Sequence, residues 1–389
     1  MKILMIAPEP FFEPRGTPLS EYFRIQALCR LGHSVDLVTY PIGEDRQIPG
    51  LTIFRCWKPP FVRGVRTGPS FTKLILDVFL FFKAWARIRR GDYDVIHTHE
   101  EANIMGVFLG RRANIPHLYD MHSSLVQQMS NFQFTRLRIV VGFFRWMERL
   151  VLTRATSVIV ICQSLYDYAM PISGGEKLTL IENFMDDIPN SLDPVKLVSF
   201  RRTWCRRSRK IVTYTGTLEP YQGMSLLIDS FVHLPDSFHL LVIGGKDKQV
   251  QSLSHRISRL GLNGRIHILG SRSPEEIPYF LEISDVLVSP RTLGTNIPLK
   301  IYAYLKSGVP VVATDLYTHT QTLTDDIAIL VDPQPRALAE GIKRAAGEEG
   351  RRVAKGSRDF CRKNFSDERY LELVNSAIEV AVAGTGSQD

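Results

Sequence analysis

One stretch of the sequence combines a polar loop, a short helix and a buried strand: GTNIPLKIYAYLKSGVPVVAT, Gly294 to Thr314. Thr295 or Asn296 can cap a helix, and Pro298 suits its first turn because proline has no amide hydrogen to leave unpaired. A helix that begins here would direct its free amide groups at the carboxyl ends of the neighbouring strands, where open α/β sheets bind anions. The stretch predicts a site for a phosphate-bearing ligand, although an ordinary helix start without a ligand has the same pattern.

Polar residues also follow two apolar segments in the first half, YDVIHTHE and LYDMHSS. His99 and Glu100 end the first segment, and His122 lies just past the second. Such strand ends carry binding and catalytic residues more often than strand middles. His97 shares the face of His99, because alternate strand residues point the same way, but it lies deeper and a structural role explains it equally well.

The loop after the first apolar segment reads PRGTP, with Gly16 at its centre. Because glycine has no side chain, the backbone there could approach a diphosphate or a sugar closely. A plain turn glycine between Pro14 and Pro18 explains the same residues. Both interpretations stay open at this point.

Length and composition limit the class of protein. A chain of 389 residues is long for one hydrophobic core, so two domains are expected. The net charge of +8 and the isoelectric point near 9.2 favour anionic partners such as phosphates, acidic lipid surfaces or nucleic acid. The five cysteines form no CxxC pair and have no metal-ligand spacing, which is typical of reduced thiols in the cytosol and predicts no zinc site.

Membrane-spanning segments are not expected. The N-terminal run MKILMIAPEP has too short an apolar core for a signal peptide and is better interpreted as a first β-strand. No apolar run reaches the roughly 18 residues that a spanning helix needs, because Asp77 interrupts LILDVFLFF.

Apolar segments alternate with helix-length segments along the chain, which predicts parallel sheets with helices on both faces. The predicted strands are KILMIA, SVDLVTY, DVIHTH, PHLYDMH and SVIVIC, then KIVTYTG, FHLLVIGG, RIHILG, DVLVSP, VPVVAT and AILVDP. The alternation stops in a turn-rich, basic stretch between about Asn183 and Lys210. We therefore expect a first domain at 1–190, a basic linker at 191–209, a second domain at 210–365, and a last helix with a tail at 366–389 that could return to the first domain.

The order of these pieces resembles the GT-B glycosyltransferases, and the retaining family 4 in particular, over nearly the whole chain. PRGTP followed by LGHSVDLVT is similar to the opening of that family, and YDVIHTHE and LYDMHSS are similar to its two histidine-bearing strand ends. YTGTLEPYQG resembles its phosphate loop, and EISDVLVSPRTLGTNIPLKIYAYLKSG resembles its donor-binding signature. The resemblance implies an α/β fold of two Rossmann-like parallel-sheet domains that face each other across a cleft.

The resemblance also implies a nucleoside diphosphate sugar as donor and gives roles to the candidate residues. His122 would face the transferred sugar, because a neutral histidine or a backbone carbonyl tolerates positive charge at the anomeric carbon without attacking it. The acceptor side would carry Arg15, His99 and Glu100. The donor-binding residues would be Gly16, Thr217, Gln222, Gly223, Gly244, Leu269, Arg291, Thr295, Asn296, Pro298, Leu299 and Lys300.

The chain departs from the family at four of its donor-binding positions. Two glutamates that many members carry eight residues apart fall at Thr295 and Ala303, and the arginine and lysine of the phosphate loop fall at Thr217 and Gln222. Losing a charged hydrogen bond to the nucleotide ribose would weaken donor binding by ~10 to 100-fold unless another group replaces it.

Replacement cations are therefore expected near the donor. Lys300 and Arg291 are the nearest candidates in sequence. A lysine in a first helical turn opposes the helix dipole, which favours an anionic partner, although solvated surface charges remain the alternative. The segment THTQTL, Thr318 to Leu323, resembles one that some members carry after the same helix, and it indicates a subgroup with its own way of holding the donor.

Two segments combine aromatic and aliphatic residues with arginines at helical spacing: FTKLILDVFLFFKAWARIRR (71–90) and RLRIVVGFFRWMERLVLTR (136–154). Such helices can lie in the lipid interface, with Trp85 or Trp146 at the boundary and basic groups on anionic headgroups. A core helix with a basic solvent edge is the common alternative. Nucleic acid is not expected as a partner, because no basic stripe interleaves with aromatics in a known reader module.

The sequence thus predicts a retaining glycosyltransferase that moves a sugar from a nucleoside diphosphate donor to a lipid-linked or cell-envelope glycan. We expect no metal and no further cofactor, and a cytoplasmic protein bound peripherally to the inner face of the plasma membrane. Two alternatives remain. One is a sugar-nucleotide epimerase on the same two-domain fold. The other is a non-catalytic protein that binds a glycan or a partner. The missing glutamate and cations are the observation that suggests this alternative.

Overall fold

A computed structural model describes residues 1–13, 16–62, 64–65, 70–124, 138–184, 191–205 and 209–384. The chain divides into two compact units. The first comprises Met1–Met185 together with Asp367–Asp389, and the second comprises Asp186–Ser366.

The first unit is built on a seven-stranded parallel sheet with the strand order β3-β2-β1-β4-β5-β6-β7. The central strands are almost wholly buried, as expected for a parallel sheet covered on both faces. Register pairs His99 of β4 with Asp120 of β5, which brings two strand ends with polar side chains together. The strands are β1 (Lys2–Ala7), β2 (Ser34–Thr39), β3 (Leu51–Arg55), β4 (Val95–His99), β5 (His117–Met121), β6 (Ser157–Val160) and β7 (Leu178–Leu180).

Helices connect most of these strands in the crossover manner typical of parallel pairing, whereas the connection from β2 to β3 has no helix. They are α1 (Gly16–Arg30), α2 (Phe71–Ile88), α3 (Asn103–Ala113), α4 (Arg138–Arg154) and α5 (Gln163–Ser173). Ser70 caps α2, because its side chain accepts a hydrogen bond from the Lys73 amide. No helix in the described ranges is both long and apolar enough to cross a membrane.

The second unit is built on a six-stranded parallel sheet with the order β10-β9-β8-β11-β12-β13. Its order changes direction at β8 and β11, the switch point beside which α/β sheets bind ligands. The strands are β8 (Lys210–Thr215), β9 (Phe238–Ile243), β10 (Ile266–Gly270), β11 (Val286–Ser289), β12 (Val311–Thr314) and β13 (Ile329–Val331).

The helices of the second unit are α6 (Pro194–Trp204), α7 (Met224–Ser230), α8 (Asp247–Arg259), α9 (Ile277–Glu282), α10 (Lys300–Ser307), α11 (Tyr317–Thr320), α12 (Pro335–Ala345) and α13 (Glu348–Asn364). Helix α6 lies within the stretch expected as a basic linker, and its apolar residues pack on the second sheet. The last helix, α14 (Asp367–Ala383), packs against α1 and strand β6 of the first unit.

The two parallel sheets confirm the fold class predicted from the sequence. Strands β3 and β7 were not predicted. β3 is a partly exposed edge strand, and β7 has only three residues, so neither presents a buried apolar run.

Close packing of α3 on the first sheet depends on Gly106. A Cβ atom there would lie 2.2 Å from Nε2 of His117 and 2.6 Å from a methyl carbon of Thr98. These two side chains are buried and hydrogen-bonded to each other at 2.7 Å, so neither moves aside cheaply. By contrast, a Cβ at Gly142 of α4 would meet none of the described atoms within 4 Å.

We expect Gly106→Ala to lower the free energy of unfolding by about 1 to 3 kcal/mol, because added volume in a packed interior forces its neighbours to shift. Gly142→Ala is the matched control and should raise it by up to about 1 kcal/mol, because alanine is the better helix former. Urea titration followed by circular dichroism measures both. Equal effects of the two substitutions would contradict this account of the α3 packing.

Candidate functional site

Glycines shape the loops at the carboxyl ends of β8, β9 and β11. A Cβ atom at Gly244 would lie 2.0 Å from the Gly216 carbonyl oxygen, and one at Gly223 would lie 1.8 Å from the Pro290 carbonyl oxygen. Both glycines also have positive φ angles, +124° and +73°. The structure thus explains Gly223 and Gly244 by the close approach of neighbouring loops, without a ligand.

Lys300, the first residue of α10, reaches the loop that follows β8. Its Nζ lies 3.7 Å from the centre of the Tyr214 ring and 3.4 Å from Oε1 of Gln222. A Cβ atom at Gly216 would lie 3.0 Å from the same nitrogen. The Lys300 nitrogen therefore lies beside the loop that carries Thr217 and Gln222.

Arg291 is a second cation at this edge of the sheet. Its guanidinium carbon lies 5.1 Å from the centre of the Tyr221 ring, and Nη1 donates to the Asn296 carbonyl at 2.7 Å. Neither Arg291 nor Lys300 pairs with a carboxylate of the described residues. Loss of hydration lowers the pKa of Lys300 well below its ordinary value, and the charge of Arg291 lowers it further. A polyanion bound here would relieve both effects.

The loop before α10 differs from the sequence-based expectation. The helix begins at Lys300 with Leu299 at the N-cap position, so Pro298 lies before its first turn and the N-cap residue is neither Thr295 nor Asn296. Instead the Asn296 carbonyl accepts hydrogen bonds from Arg291 and from Thr318, which hold this residue in the loop. The prediction that Pro298 lies in the first turn, with Thr295 or Asn296 at the N-cap, was therefore wrong.

The remaining donor candidates of the second unit have mixed surroundings. Thr217 is exposed, and its carbonyl accepts a hydrogen bond from the Tyr214 hydroxyl at 2.6 Å. Leu269 packs on a cluster that includes Ile211 and Leu241, so its side chain serves the core. Leu299 directly precedes α10. The Ala303 side chain has no polar atom to offer a ribose.

The first unit brings His99 and His122 together, with Asp120 next to both. His99 Nδ1 lies 3.0 Å from His122 Nε2, and Asp120 Oδ1 lies 3.4 Å from the same His122 atom. His97 Nε2 lies 3.6 Å from Asp120 Oδ2. Burial lowers the pKa of all three histidines, which keeps these rings neutral at neutral pH.

Asp120 is held as an anion by Arg24 of α1. Arg24 Nε donates to Asp120 Oδ2 at 2.8 Å, and both side chains are buried. Burial alone would raise the pKa of Asp120, but Arg24 and His122 outweigh it and lower the pKa well below its ordinary value. Arg24 and Asp120 were missed from the sequence. The available signal was a charged residue on the buried face of α1 and one within a buried strand.

Glu100 links the first turn of α1 to the segments that follow β4 and β5. It accepts hydrogen bonds from the Thr17 hydroxyl at 3.3 Å and the Ser123 hydroxyl at 3.0 Å. Its φ of 43° lies in the left-handed region that only a few non-glycine residues adopt, a feature that clusters at functional sites. Burial, followed by the charges of Glu101 and Glu9, raises the pKa of Glu100 to about 8.

The two remaining candidates, Arg15 and Gly16, directly precede Thr17 in the chain. Gly16, with a φ of +48°, is the first residue of α1, and a Cβ there would meet none of the described atoms within 4 Å. Ligand approach therefore remains an open explanation for Gly16. Arg15 lies outside the described residues.

One group of side chains has metal-binding geometry. The ligand atoms of His97, His99 and Asp120 lie within 4.8 Å of one another. However, the Asp120 carboxylate already pairs with the guanidinium of Arg24, which would repel a second cation. We do not assign a metal to this group.

The raised pKa of Glu100 predicts a pH dependence of stability. Between its ordinary pKa and about 8, the folded protein keeps a proton that the unfolded chain releases, so stability falls as pH rises through this window. The slope for one proton is at most about 1.4 kcal/mol per pH unit. We expect Glu100→Gln to remove this contribution, measured as unfolding free energy at pH 5 to 8.

Glu44→Gln is the matched control, because the Glu44 side chain is 72% exposed and its loss should leave the slope unchanged. Parallel stability curves for the wild type and Glu100→Gln would contradict a proton held on Glu100.

Comparison with known families matches each unit to a different model. Residues 25–183 match the Glycosyl transferase 4-like domain, and residues 201–359 match the Glycosyl transferases group 1 model. The chain is 25% identical over 397 residues to the phosphatidyl-myo-inositol mannosyltransferase of Mycobacterium tuberculosis, which covers 97% of this chain and 92% of that protein. It is 22% identical to the D-inositol 3-phosphate glycosyltransferase of Xylanimonas cellulosilytica, over 90% of this chain and 88% of that protein.

Solved structures agree with the fold. Anabaena HepE in complex with UDP superposes with a TM-score of 0.74 at 18% identity, covering 98% of this chain and 100% of that chain. The sucrose-phosphate synthase of Thermosynechococcus elongatus superposes with a TM-score of 0.75 at 19% identity, covering 98% and 99%. The first parallel-sheet unit matches the Glycosyl transferase 4-like domain, and the second matches the Glycosyl transferases group 1 model. The chain therefore belongs to the glycosyltransferases of the GT-B type.

Proposed function

We propose that this protein transfers a sugar, with retention of anomeric configuration, from a nucleoside diphosphate donor to a lipid-linked or cell-envelope glycan acceptor. The observation that carries the proposal is the pair of cations at the carboxyl edge of the second sheet, Lys300 and Arg291, neither of which has a carboxylate partner among the described residues. HepE binds UDP and UDP-glucose in its solved complexes, and several relatives are named for phosphatidylinositol acceptors. We extend both ligand classes to this chain.

In this proposal Lys300 replaces the cations that the loop after β8 lacks. Its nitrogen lies over the Tyr214 ring and next to Gln222, so it needs no carboxylate to stay in place. A diphosphate leaving group gains negative charge in the transition state, and pre-positioned cations stabilise that charge without reorganising. Because Lys300 and Arg291 repel each other, a bound diphosphate would stabilise the charged forms of both.

The proposed sugar side lies in the first unit at His122. A retaining transfer develops positive charge at the anomeric carbon, and a neutral imidazole or a backbone carbonyl stabilises that charge without forming a stable bond. Asp120, which pairs with Arg24, lies 3.4 Å from His122 Nε2 and so can orient this ring. Glu100, bound to Thr17 and Ser123, is the proposed contact for acceptor hydroxyl groups.

The proposed membrane surface is the outer face of α2, which is apolar although Leu76, Leu80 and Ala84 already bury the opposite face in the core. Its inner face carries Lys73, which pairs with Glu101 at 3.1 Å, and Asp77, which accepts from the Tyr40 hydroxyl at 2.6 Å. Its outer face is apolar and exposed. The exposed outer residues are Phe71, Leu74, Ile75, Val78 and Phe82.

Basic residues next to this surface favour an anionic membrane as its occupant. Arg89 and Arg90 follow α2, and Arg111 and Arg112 lie in the last turn of α3, which carries the exposed Phe108. Apolar side chains that enter the interface together with arginines that contact anionic headgroups are typical of peripheral binding. A protein bound to the membrane in this way could reach a glycolipid acceptor at the membrane surface.

The proposed activity is tested by incubating the purified protein with UDP-, GDP-, ADP- and dTDP-sugars, with and without membrane lipids. Release of free nucleotide that requires the lipid, with a labelled sugar recovered in the lipid fraction, supports transfer. Conversion of the donor to an isomeric sugar nucleotide without lipid would instead establish the epimerase. Tight nucleotide binding with neither product would favour a binding protein.

We expect Lys300→Met to lower donor turnover by about 10 to 100-fold, because one charged hydrogen bond is worth about 1.5 to 3 kcal/mol. Lys306→Met, in the last turn of the same helix, is the matched control and should retain wild-type turnover. Initial rates of nucleotide release measure both variants. Unchanged turnover in Lys300→Met would remove this residue from the donor site.

We expect the double variant Val78→Glu with Phe82→Glu to bind phosphatidylglycerol vesicles at least about ten-fold more weakly, because two carboxylates would face anionic headgroups. Both side chains are more than half exposed, so the fold should persist. Vesicle sedimentation is the measurement. Val195→Glu, on an exposed position of α6, is the control. Equal vesicle binding by wild type and double variant would exclude this surface.

A further inference from the structure

We propose that Thr318 and Gln321 are positioning residues that hold the loop after β11, residues 290–299, in the conformation that receives the donor diphosphate. The inference rests on the proposed function, because it concerns the same site. It concerns residues that do not themselves touch the donor. Thr318 lies in α11 and Gln321 directly follows it.

Hydrogen bonds from this short helix reach two consecutive carbonyl groups of the loop. The Thr318 hydroxyl donates to the Asn296 carbonyl at 2.7 Å, and Gln321 Nε2 donates to the Thr295 carbonyl. The same Thr318 oxygen accepts from Arg291 Nη1 at 3.2 Å. Thr318 therefore fixes both the loop backbone and one of the two cations.

The direction of these carbonyls determines where the loop amides point. In a trans peptide the C=O and the following N–H point in opposite directions. The Thr295 carbonyl points at Gln321, and the Asn296 carbonyl points at Thr318. The amides that follow these carbonyls therefore point away from α11. Backbone amides that are held in one direction form the kind of concave surface that binds phosphate.

His319 attaches α11 to the sheet and so gives these hydrogen bonds a rigid base. Its Nε2 lies 2.9 Å from the hydroxyl oxygen of Ser289 in β11, and its Nδ1 lies 2.9 Å from the carbonyl oxygen of Thr314 in β12. The ring is fully buried, and burial lowers its pKa to about 4, so it stays neutral. The positions of Thr318 and Gln321 are therefore set by two adjacent strands.

Two variants test the inference: Thr318→Val, which removes the hydroxyl with little change of shape, and Gln321→Met. Thr320→Val is the matched control, since among the described residues the Thr320 hydroxyl reaches only the Leu316 carbonyl of its own turn, at 3.4 Å. Inorganic diphosphate and the nucleotides UDP, GDP and ADP serve as calorimetric probes. We expect Thr318→Val and Gln321→Met each to weaken binding of the accepted probes about ten-fold.

The kinetic signature separates positioning from a merely structural role. For each positioning variant we expect the donor KM to rise about ten-fold with a smaller change in kcat, and an unfolding temperature close to that of the wild type. Thr318→Ser keeps the hydroxyl and should restore the wild-type KM. A lower unfolding temperature with an unchanged KM in both variants would mean that these residues serve stability alone and would overturn the inference.

The outcome for the wild type distinguishes the two proposals. If the wild type binds none of the probes, the proposed donor site fails and the inference fails with it. If the wild type binds a nucleoside diphosphate and Thr318→Val and Gln321→Met bind it equally well, the donor site stands and only the positioning role is excluded.

Discussion

The buried ion pair between Arg24 and Asp120 is the interaction on which the first unit depends. It joins α1 to β5 across 96 residues of sequence, and Arg24 also lies 5.2 Å from the centre of the Tyr370 ring, so α14 packs on the same group. Removing one partner of such a pair leaves an uncompensated buried charge, which lowers the free energy of unfolding by about 3 to 5 kcal/mol. The three histidines gather around the same carboxylate. Packing of the unit and the electrostatics of its candidate site are thus set by one contact.

The two units treat charge in opposite ways. In the first unit, the buried or partly buried cations near the candidate site have carboxylate partners within the protein, as with Arg24 and Asp120 or Lys73 between Glu9 and Glu101. In the second unit, Lys300 and Arg291 are held by rings, an amide and a carbonyl, none of which carries a full negative charge. The Thr318 hydroxyl donates to the Asn296 carbonyl and accepts from Arg291, which keeps this arrangement fixed without adding a negative charge. Such a site has an electrostatic preference for a polyanion before any ligand arrives.

Much of the fold could be predicted from the sequence, because continuous apolar runs identify the buried central strands. β3 and β7 escaped prediction, since a partly exposed edge strand and a three-residue strand lack such a run. In the first unit, positions at strand ends predicted His99, Glu100 and His122 as candidate site residues. The sequence could not predict that Arg24 would contact Asp120, because these residues lie far apart in the chain. The close approach of neighbouring backbone at Gly223 and Gly244 could not be predicted either, because only tertiary packing determines it, and their contact with a donor stays a prediction.

The place of Lys300 has a consequence for how related chains are compared. Its α-carbon belongs to the helix after β11, yet its nitrogen lies beside Gly216 and Gln222 in the loop after β8. A column-by-column alignment would score the loop positions Thr217 and Gln222 as lost cations and Lys300 as an unrelated gain. Under the function that we propose, the two changes describe one relocated charge in three dimensions, and such enzymes are then better compared by the positions of their charged atoms than by the positions of residues.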